Sequence, residues 1–135
     1  MANRKILVVD DERDMRIFVS TVVETSGFEA AVASDGTEAI EKARENPPAL
    51  VILDVMMPQI VDGIETYRQF RTDPKLAQIP IIILSAIARK TFLHSIRLLN
   101  PHRGIELPDP EAYMEKPPDA DELSRLINRF LSRES

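Results

Sequence analysis

The stretch Ile6-Leu7-Val8-Val9-Asp10-Asp11 places four apolar residues directly before two carboxylates. The same arrangement recurs at Leu50–Leu53, which is followed by Asp54. Uniformly apolar runs of this length are typical of parallel strands that are covered on both faces. Because ligands bind at the carboxyl edge of an open parallel sheet, acids that follow such strands are candidates for a functional site.

Two further apolar runs end in polar groups. Ile81–Leu84 is followed by the hydroxyl of Ser85, and Ala112–Met114 is followed by Glu115 and Lys116. If the four runs are neighbouring strands, carboxylates, a hydroxyl and an ammonium meet in one crevice. This composition is suited to one hard cation and one phosphoryl group.

Strand-like and helix-like segments alternate along the chain, which predicts an α/β domain of three layers with a parallel sheet. Helical periodicity places several apolar residues of the first helix on one face, namely Met15, Phe18, Val19, Val22 and Val23. The fourth helix is expected to turn Phe92, Leu93, Ile96 and Leu99 inward. Strands are predicted at 6–9, 29–33, 50–53, 81–84 and 112–115. The first, second, third and fifth helices are predicted at 12–26, 37–45, 64–71 and 119–132.

Composition narrows the classes of function. The 135 residues include no cysteine and two histidines, which excludes disulfides and disfavours a zinc site. A net charge of −5 disfavours direct binding to nucleic acid or to a membrane surface. No signal peptide is visible and no apolar stretch is long enough for membrane insertion, so a cytoplasmic location is expected.

The acids themselves predict a chemistry. Two carboxylates ~4 Å apart repel by about 4 kcal/mol at an effective dielectric constant near 20, so a cation or a proton must relieve that repulsion. Mg²⁺ prefers oxygen ligands and is usually held by one or two carboxylates and a phosphate. Asp54 then attacks a phosphoryl group as a nucleophile, Lys116 neutralises its charge and Ser85 donates a hydrogen bond. Taken singly, each residue has an ordinary role as a cap, a turn residue or a solvated charge.

Together these residues resemble the receiver domain of two-component response regulators, of the kind found in chemotaxis regulators. The resemblance covers nearly the whole chain and implies one receiver domain over residues 1–135. It implies a flavodoxin-like (βα)5 fold with strand order 2-1-3-4-5, which places the ends of strands one and three at the switch point. The matching elements are Asp10-Asp11, Asp54-Val55-Met56-Met57-Pro58, Asp62-Gly63, Ser85-Ala86 and Tyr113-Met114-Glu115-Lys116-Pro117.

The resemblance implies specific roles at the metal site. Asp54 is the phosphoacceptor, and Asp11 and Asp54 supply side-chain oxygens to Mg²⁺ (or Mn²⁺). Asp10 acts through a water, and Met56 contributes its backbone carbonyl.

The resemblance also implies a switch. Lys116 contacts the phosphoryl group, and its bond to Pro117 is cis. Ser85 moves towards the phosphoryl group, and Tyr113 rotates inward behind it. The surface of the fourth helix, fifth strand and fifth helix then changes for a partner, which is a shift between two packings.

The implied partners are proteins. A histidine kinase or phosphotransfer protein supplies the phosphoryl group, an unknown downstream protein reads the changed surface, and that surface also offers a route to a homodimer. Such a module catalyses only its own phosphorylation and dephosphorylation, so it is not an enzyme in the usual sense.

The chain departs from the family pattern in two places. The loop after Asp54 has one residue more than usual before Asp62-Gly63, and a proline-rich insert occupies residues 100–111 before the last strand. We expect Ile105 and Leu107 of the insert to pack locally, while a partner or self-association surface is the alternative.

A kinetic expectation follows from two apolar residues. Met56 lies two residues after Asp54, and Ile87 lies two residues after Ser85. In the family these positions flank the route of hydrolytic water, so we predict a comparatively long-lived phosphoryl group.

Three alternatives stay open. The first is a Mg²⁺-dependent phosphohydrolase with an Asp nucleophile, which would carry Asp-x-Asp and a cap domain. The second is a flavin- or nucleotide-binding flavodoxin-like protein, which the lack of a glycine-rich loop disfavours. The third is a degenerate receiver that binds partners without phosphorylation. The sequence does not separate a single-domain regulator from a piece of a larger protein.

Overall fold

Strands and helices alternate in the order that the sequence predicts. The computed structural model describes residues 4–57, 60–99 and 107–131. The strands in these ranges are Lys5–Val9 (β1), Glu29–Ala33 (β2), Leu50–Leu53 (β3), Ile81–Ser85 (β4) and Ala112–Glu115 (β5). The helices are Arg13–Thr25 (α1), Gly36–Glu45 (α2), Ile60–Thr72 (α3), Arg89–Leu99 (α4) and Ala120–Leu131 (α5).

All five strands are parallel and lie in the order β2-β1-β3-β4-β5. The order confirms the predicted flavodoxin-like sheet. Val9 of β1 is paired with Leu53 of β3, so the residues that follow these strands emerge side by side at one edge. The strand order reverses between the neighbouring strands β1 and β3. In doubly wound folds, ligands bind at the carboxyl ends of the strands at this switch point.

Each face of the sheet is covered by its own group of helices. Side chains of α2, α3 and α4 pack on one face, and side chains of α1 and α5 pack on the other. Leu50–Leu53 is buried throughout because its alternating side chains enter both cores. The three predicted layers are therefore present.

Helix termini follow local sequence signals. The carboxylate of Asp35 accepts the amide of Glu38 at the start of α2, with a distance of 2.8 Å. Gly27 follows α1 with φ of 93°, a conformation that a residue without Cβ adopts at little cost.

The predicted start of α3 is wrong by four residues. The helix begins at Ile60 rather than Ile64, so Gly63 lies inside its first turn. A Cβ on Gly63 would lie 1.8 Å from the carbonyl oxygen of Val55. The glycine is therefore needed for close contact with the segment after Asp54, and it does not mark the boundary of the helix.

The apolar face predicted for α1 is too wide. Val19, Val22 and Val23 are buried, but Phe18 is 38 % exposed. Helical spacing identifies the side of the helix that faces the core. How many residues on that side are buried depends on which neighbouring elements pack against the helix.

The described part of the proline-rich insert is anchored to α3. Leu107 is buried in the core, as predicted for it. The Tyr67 hydroxyl donates to the carbonyl of Pro108 at 2.5 Å, and Arg71 contacts the carboxylate of Glu111 at 2.8 Å. Residues 100–106, including the predicted contact of Ile105, lie outside the described residues, as do the side chain of Leu99 and residues 58–59 of the lengthened loop.

Candidate functional site

Three aspartates meet at the carboxyl edge of the sheet. Asp10 and Asp11 follow β1, and Asp54 follows β3 in the neighbouring position. One carboxylate oxygen from each lies within 4.8 Å of the others. Asp10 and Asp54 are buried, with exposed fractions of 3 % and 4 %, whereas Asp11 is exposed. The structure thus brings together the acids that the sequence singled out.

Lys116 joins the two buried acids. Its ammonium lies 2.9 Å from Oδ2 of Asp10 and 3.0 Å from Oδ2 of Asp54. Lys116 comes directly after β5, and its backbone amide donates to the carbonyl of Ser85 at 2.8 Å. This hydrogen bond holds the backbone of Lys116 beside the end of β4. The Lys116–Pro117 bond is cis, as expected.

Burial and charge act in opposite directions on this group. Burial raises the pKa of the Asp10 carboxyl, although the hydrogen bond from Lys116 lowers it. For Lys116, burial lowers the pKa, whereas the hydrogen bonds to Asp10 and Asp54 raise it. The hydrogen bonds outweigh burial, so the pKa of Lys116 is raised. One ammonium faces three carboxyl groups, so the site favours a further cation.

The donor set fits a hard divalent cation. The three clustered side chains offer only oxygen, and Asp11 is accessible from solvent. Carboxylate oxygens are the ligands that Mg²⁺ takes, and Mn²⁺ accepts the same type of ligand. The amide of Met56 donates to Oδ1 of Asp54 at 3.0 Å, which orients the carboxylate. The role of the Met56 carbonyl as a metal ligand stays a prediction.

Ser85 and Tyr113 lie on adjacent strands near this edge. Ser85 is fully buried at the end of β4, and its Oγ accepts the amide of Ile87 at 3.4 Å. Tyr113 is half-buried, and its hydroxyl donates to the carbonyl of Ile87 at 2.6 Å. Burial raises the pKa of Tyr113 to about 12, while a hydrogen bond from Ser85 lowers it. Both side chains therefore contact the segment that leads into α4.

The ring of Tyr113 rests on an aromatic side chain of α4. Its centroid lies 5.6 Å from that of Phe92, and Phe92 in turn packs edge-on against Tyr67 at 5.5 Å. The sequence predicted that Phe92 faces inward, but it gave no sign of this aromatic row.

Sequence reasoning missed Arg16. Its guanidinium donates to the backbone carbonyl of Asp10 at 2.9 Å, and Asp10 Oδ1 accepts the amide of Glu12 at the same distance. Arg16 lies one turn into α1, and side chains of an α-helix point towards its N-terminus. A long cationic side chain at this position could therefore have been expected to reach the end of β1.

Comparison with known proteins identifies the family. The family model described as the response regulator receiver domain matches residues 6–100. This chain belongs to the response regulator receiver family. Receiver domains are signalling modules of two-component systems, which work with histidine kinases and downstream targets.

Curated relatives agree with this assignment. The chain is 36 % identical over 131 residues to the alkaline phosphatase synthesis transcriptional regulatory protein PhoP of Bacillus subtilis, covering 97 % of this chain and 50 % of PhoP. It is 31 % identical to the polar-differentiation response regulator DivK of Brucella ovis, covering 97 % of this chain and 98 % of DivK. The receiver thus spans about half of the first relative and nearly all of the second.

Solved structures show the same fold. The chemotaxis protein CheY4 of Vibrio cholerae superposes with a TM-score of 0.79 at 26 % identity, covering 96 % of this chain and all of CheY4. NtrX of Brucella abortus gives a TM-score of 0.76 at 28 % identity, and the match covers 98 % of this chain and 27 % of NtrX. Among the described residues of this receiver, the helices are too short or too polar to cross a membrane.

Proposed function

We propose that this receiver accepts a phosphoryl group on Asp54 from a histidine kinase or phosphotransfer protein and passes the signal to a downstream protein. The reaction requires Mg²⁺ or Mn²⁺. The single observation that supports this proposal best is the contact of Lys116 with two acids that lie within 4.8 Å of a third. Ion pairing, a cation site and a nucleophilic carboxylate are then available in one place.

Asp54 is suited to act as the nucleophile. It is held from two sides, by the amide of Met56 on Oδ1 and by Lys116 on Oδ2. One of its oxygens attacks phosphorus as the bond to the donor nitrogen or oxygen breaks, and the electron pair of that bond leaves with the donor. Asp54 then carries an acyl phosphate.

The other residues neutralise and orient the transferred group. Asp10, Asp11 and Asp54 would hold the divalent cation, which supplies charge neutralisation for the phosphoryl oxygens. The ammonium of Lys116, which contacts Asp54 in the unphosphorylated protein, binds a phosphoryl oxygen after transfer. Because Lys116 directly follows β5, its backbone moves little in this step. Ser85 turns its hydroxyl from Ile87 towards the same group.

The output lies next to the site. If Ser85 leaves the amide of Ile87, the segment that also accepts the hydroxyl of Tyr113 loses a support. Tyr113 then moves relative to Phe92, and the surface of α4, β5 and α5 changes. We propose that this surface contacts the downstream protein.

Intact mass spectrometry tests the proposal. Wild-type protein and Asp54→Asn are incubated with Mg²⁺ and acetyl phosphate, and Asp14→Asn serves as a control with the same loss of charge on α1. Wild type and the control should gain one phosphoryl group, and Asp54→Asn should gain none. Equal labelling of Asp54→Asn contradicts the proposal. In a parallel assay with a small phosphoester such as p-nitrophenyl phosphate, rapid turnover without labelling of the protein favours a phosphohydrolase.

A further inference from the structure

Arg16 reaches back from α1 to the turn that carries two of the three acids. Its guanidinium donates to the backbone carbonyl oxygen of Asp10 at 2.9 Å. Arg16 is half-buried, and within residues 4–57, 60–99 and 107–131 it forms no ion pair with a carboxylate. A long charged side chain is thus ordered on a neutral oxygen, although its ordering costs conformational entropy.

The stability of α1 does not account for this contact. Arg16 lies one turn into the helix, where the partial positive charge of the N-terminus disfavours a cation. Glu12, at the N-cap position, makes no side-chain hydrogen bond to the helix. The turn between β1 and α1 is therefore not held by an ordinary cap, and its conformation depends on other contacts.

Asp10 supplies the points at which this turn is held. Its Oδ1 accepts the amide of Glu12 at 2.9 Å, and its Oδ2 lies 2.9 Å from the ammonium of Lys116. Of these contacts, the one with Arg16 acts on the peptide group that joins Asp10 to Asp11. Because a peptide group is planar, fixing its oxygen also fixes the direction in which the chain continues to Asp11.

Asp11 depends on this peptide group for its position. Its side chain is exposed, and in the part of the chain that the structure describes its carboxylate forms no ion pair. One of its oxygens nevertheless lies within 4.8 Å of an oxygen of Asp10 and of Asp54. Since no cationic side chain holds Asp11 there, the orientation of its backbone does.

We propose that Arg16 is a positioning residue for the cation site. By holding the carbonyl of Asp10, it keeps the carboxylate of Asp11 within reach of a cation shared with Asp10 and Asp54. Groups that hold a metal ligand from behind typically contribute about 10–100-fold to metal affinity. The inference rests on the proposed function, because it requires that the three acids hold a divalent cation.

The sign of the effect separates positioning from simple electrostatics. Loss of a positive charge near a cation site reduces repulsion, so it should tighten the binding of the cation. Loss of the hydrogen bond frees the peptide group before Asp11, so it should weaken that binding. Arg16→Met keeps a long side chain without charge or donor, and the direction in which its affinity changes shows which effect is larger.

Electron paramagnetic resonance of free Mn²⁺ measures the affinity without phosphorylation. We expect Arg16→Met to raise the dissociation constant for Mn²⁺ about tenfold. Arg16→Lys retains a charged donor and should recover part of the loss. Binding to Arg16→Met that equals or exceeds that of the wild type would overturn the inference, and so would the absence of any recovery in Arg16→Lys.

Arg13→Met is the matched control. Arg13 is exposed in the first turn of the same helix and forms no ion pair within the described ranges. Its replacement removes the same charge and should leave Mn²⁺ binding at least as tight as in the wild type. An equal loss of affinity in both variants would show that the start of α1, and not the contact with Asp10, sets the affinity.

A second variant covers the case in which Arg16→Met does not fold, which circular dichroism reports. Arg16→Gln ends two bonds closer to the backbone, so it also loses the contact with Asp10 while remaining polar. It should weaken Mn²⁺ binding in the same direction, and wild-type affinity in this variant would overturn the inference.

The rate of phosphorylation by acetyl phosphate, followed by intact mass at increasing Mg²⁺, separates the two proposals. Arg16→Met should need several-fold more Mg²⁺ for its half-maximal rate and approach the wild-type rate at saturation, because Met56 and Lys116 still hold Asp54. A lower saturated rate with an unchanged Mg²⁺ requirement contradicts the positioning role. Wild-type protein that neither binds Mn²⁺ nor gains a phosphoryl group contradicts the proposed function. Wild-type protein that does both, with Arg16→Met indistinguishable from it, contradicts the role of Arg16 alone.

Discussion

Replacement of Asp11 with asparagine should have opposite effects on stability with and without a divalent cation. The substitution removes one charge from the acidic trio and keeps the size of the side chain. Asp11 is exposed, so it has no burial or packing role that would obscure the electrostatic effect. The effect therefore reports directly on whether the three acids act as one site.

The magnitude follows from the spacing of the acids. At the 4.8 Å that limits the oxygen separations, two charges repel by about 1 kcal/mol in water and about 3 kcal/mol at an effective dielectric constant near 20. The smaller value applies to an exposed group. Repulsion from two carboxylates then costs about 2 kcal/mol, and attraction to Lys116 offsets about half of it. Without metal, Asp11→Asn should therefore raise the free energy of unfolding by about 1 kcal/mol.

Saturating Mg²⁺ should reverse the order. A ligand at a hundred times its dissociation constant stabilises the folded state by about 2.7 kcal/mol. Because Asp11 is a proposed ligand of the cation, Asp11→Asn should lose most of this gain. Urea unfolding of both proteins, with EDTA and with Mg²⁺, measures the four free energies.

Asp14→Asn is the matched control, because it removes a charge from the first turn of α1 outside the trio. It should lower stability slightly, by about 0.3–1 kcal/mol through the helix dipole, and leave the gain from Mg²⁺ intact. The reasoning is refuted if Asp11→Asn destabilises the metal-free protein as Asp14→Asn does, or if it keeps the full effect of Mg²⁺.

Three further predictions concern the core, the loop and the kinetics. Tyr67→Phe should lower stability by about 1–2 kcal/mol at neutral pH by removing buried hydrogen bonds. Burial raises the pKa of Tyr67 from 10.0 to about 12, so between these pH values the hydroxyl ionises in the unfolded chain before it does in the folded protein. The stability of the wild type should therefore fall as the pH rises through this range, and that of Tyr67→Phe should fall less. Urea unfolding at several pH values measures this difference. Gly63→Ala should destabilise by about 3 kcal/mol or more because its Cβ would overlap the Val55 carbonyl; a thermal melt unchanged from wild type would contradict this contact. Met56→Asn with Ile87→Glu should speed loss of the phosphoryl group several-fold by orienting water, and an unchanged decay of the phosphorylated mass would refute that role.

Much of the site was accessible from the sequence because parallel strands share one edge. Four apolar runs that end in Asp10, Asp54, Ser85 and Lys116 determine which groups meet once the strand order is known. The distances between these groups required the structure, since register and the path of each loop set them. Their roles in phosphoryl transfer stay predictions.

The missed features depend on contacts between distant parts of the chain. The position of Gly63 inside α3 follows from its approach to Val55, which no local rule contains. The anchor of the insert joins Arg71 to Glu111 across 40 positions of the sequence. Phe18 is exposed because neighbouring elements do not cover that side of α1, and helical periodicity does not report such cover.

Chemical mapping of the phosphoryl group identifies the residue that accepts it. Borohydride reduces an aspartyl phosphate to homoserine, which marks the modified residue in a peptide map. After treatment with Mg²⁺ and acetyl phosphate, we expect homoserine at position 54, and none when EDTA replaces Mg²⁺. Homoserine at another aspartate, or equal conversion in the presence of EDTA, would contradict the claim that the three acids form a metal-dependent phosphoacceptor site.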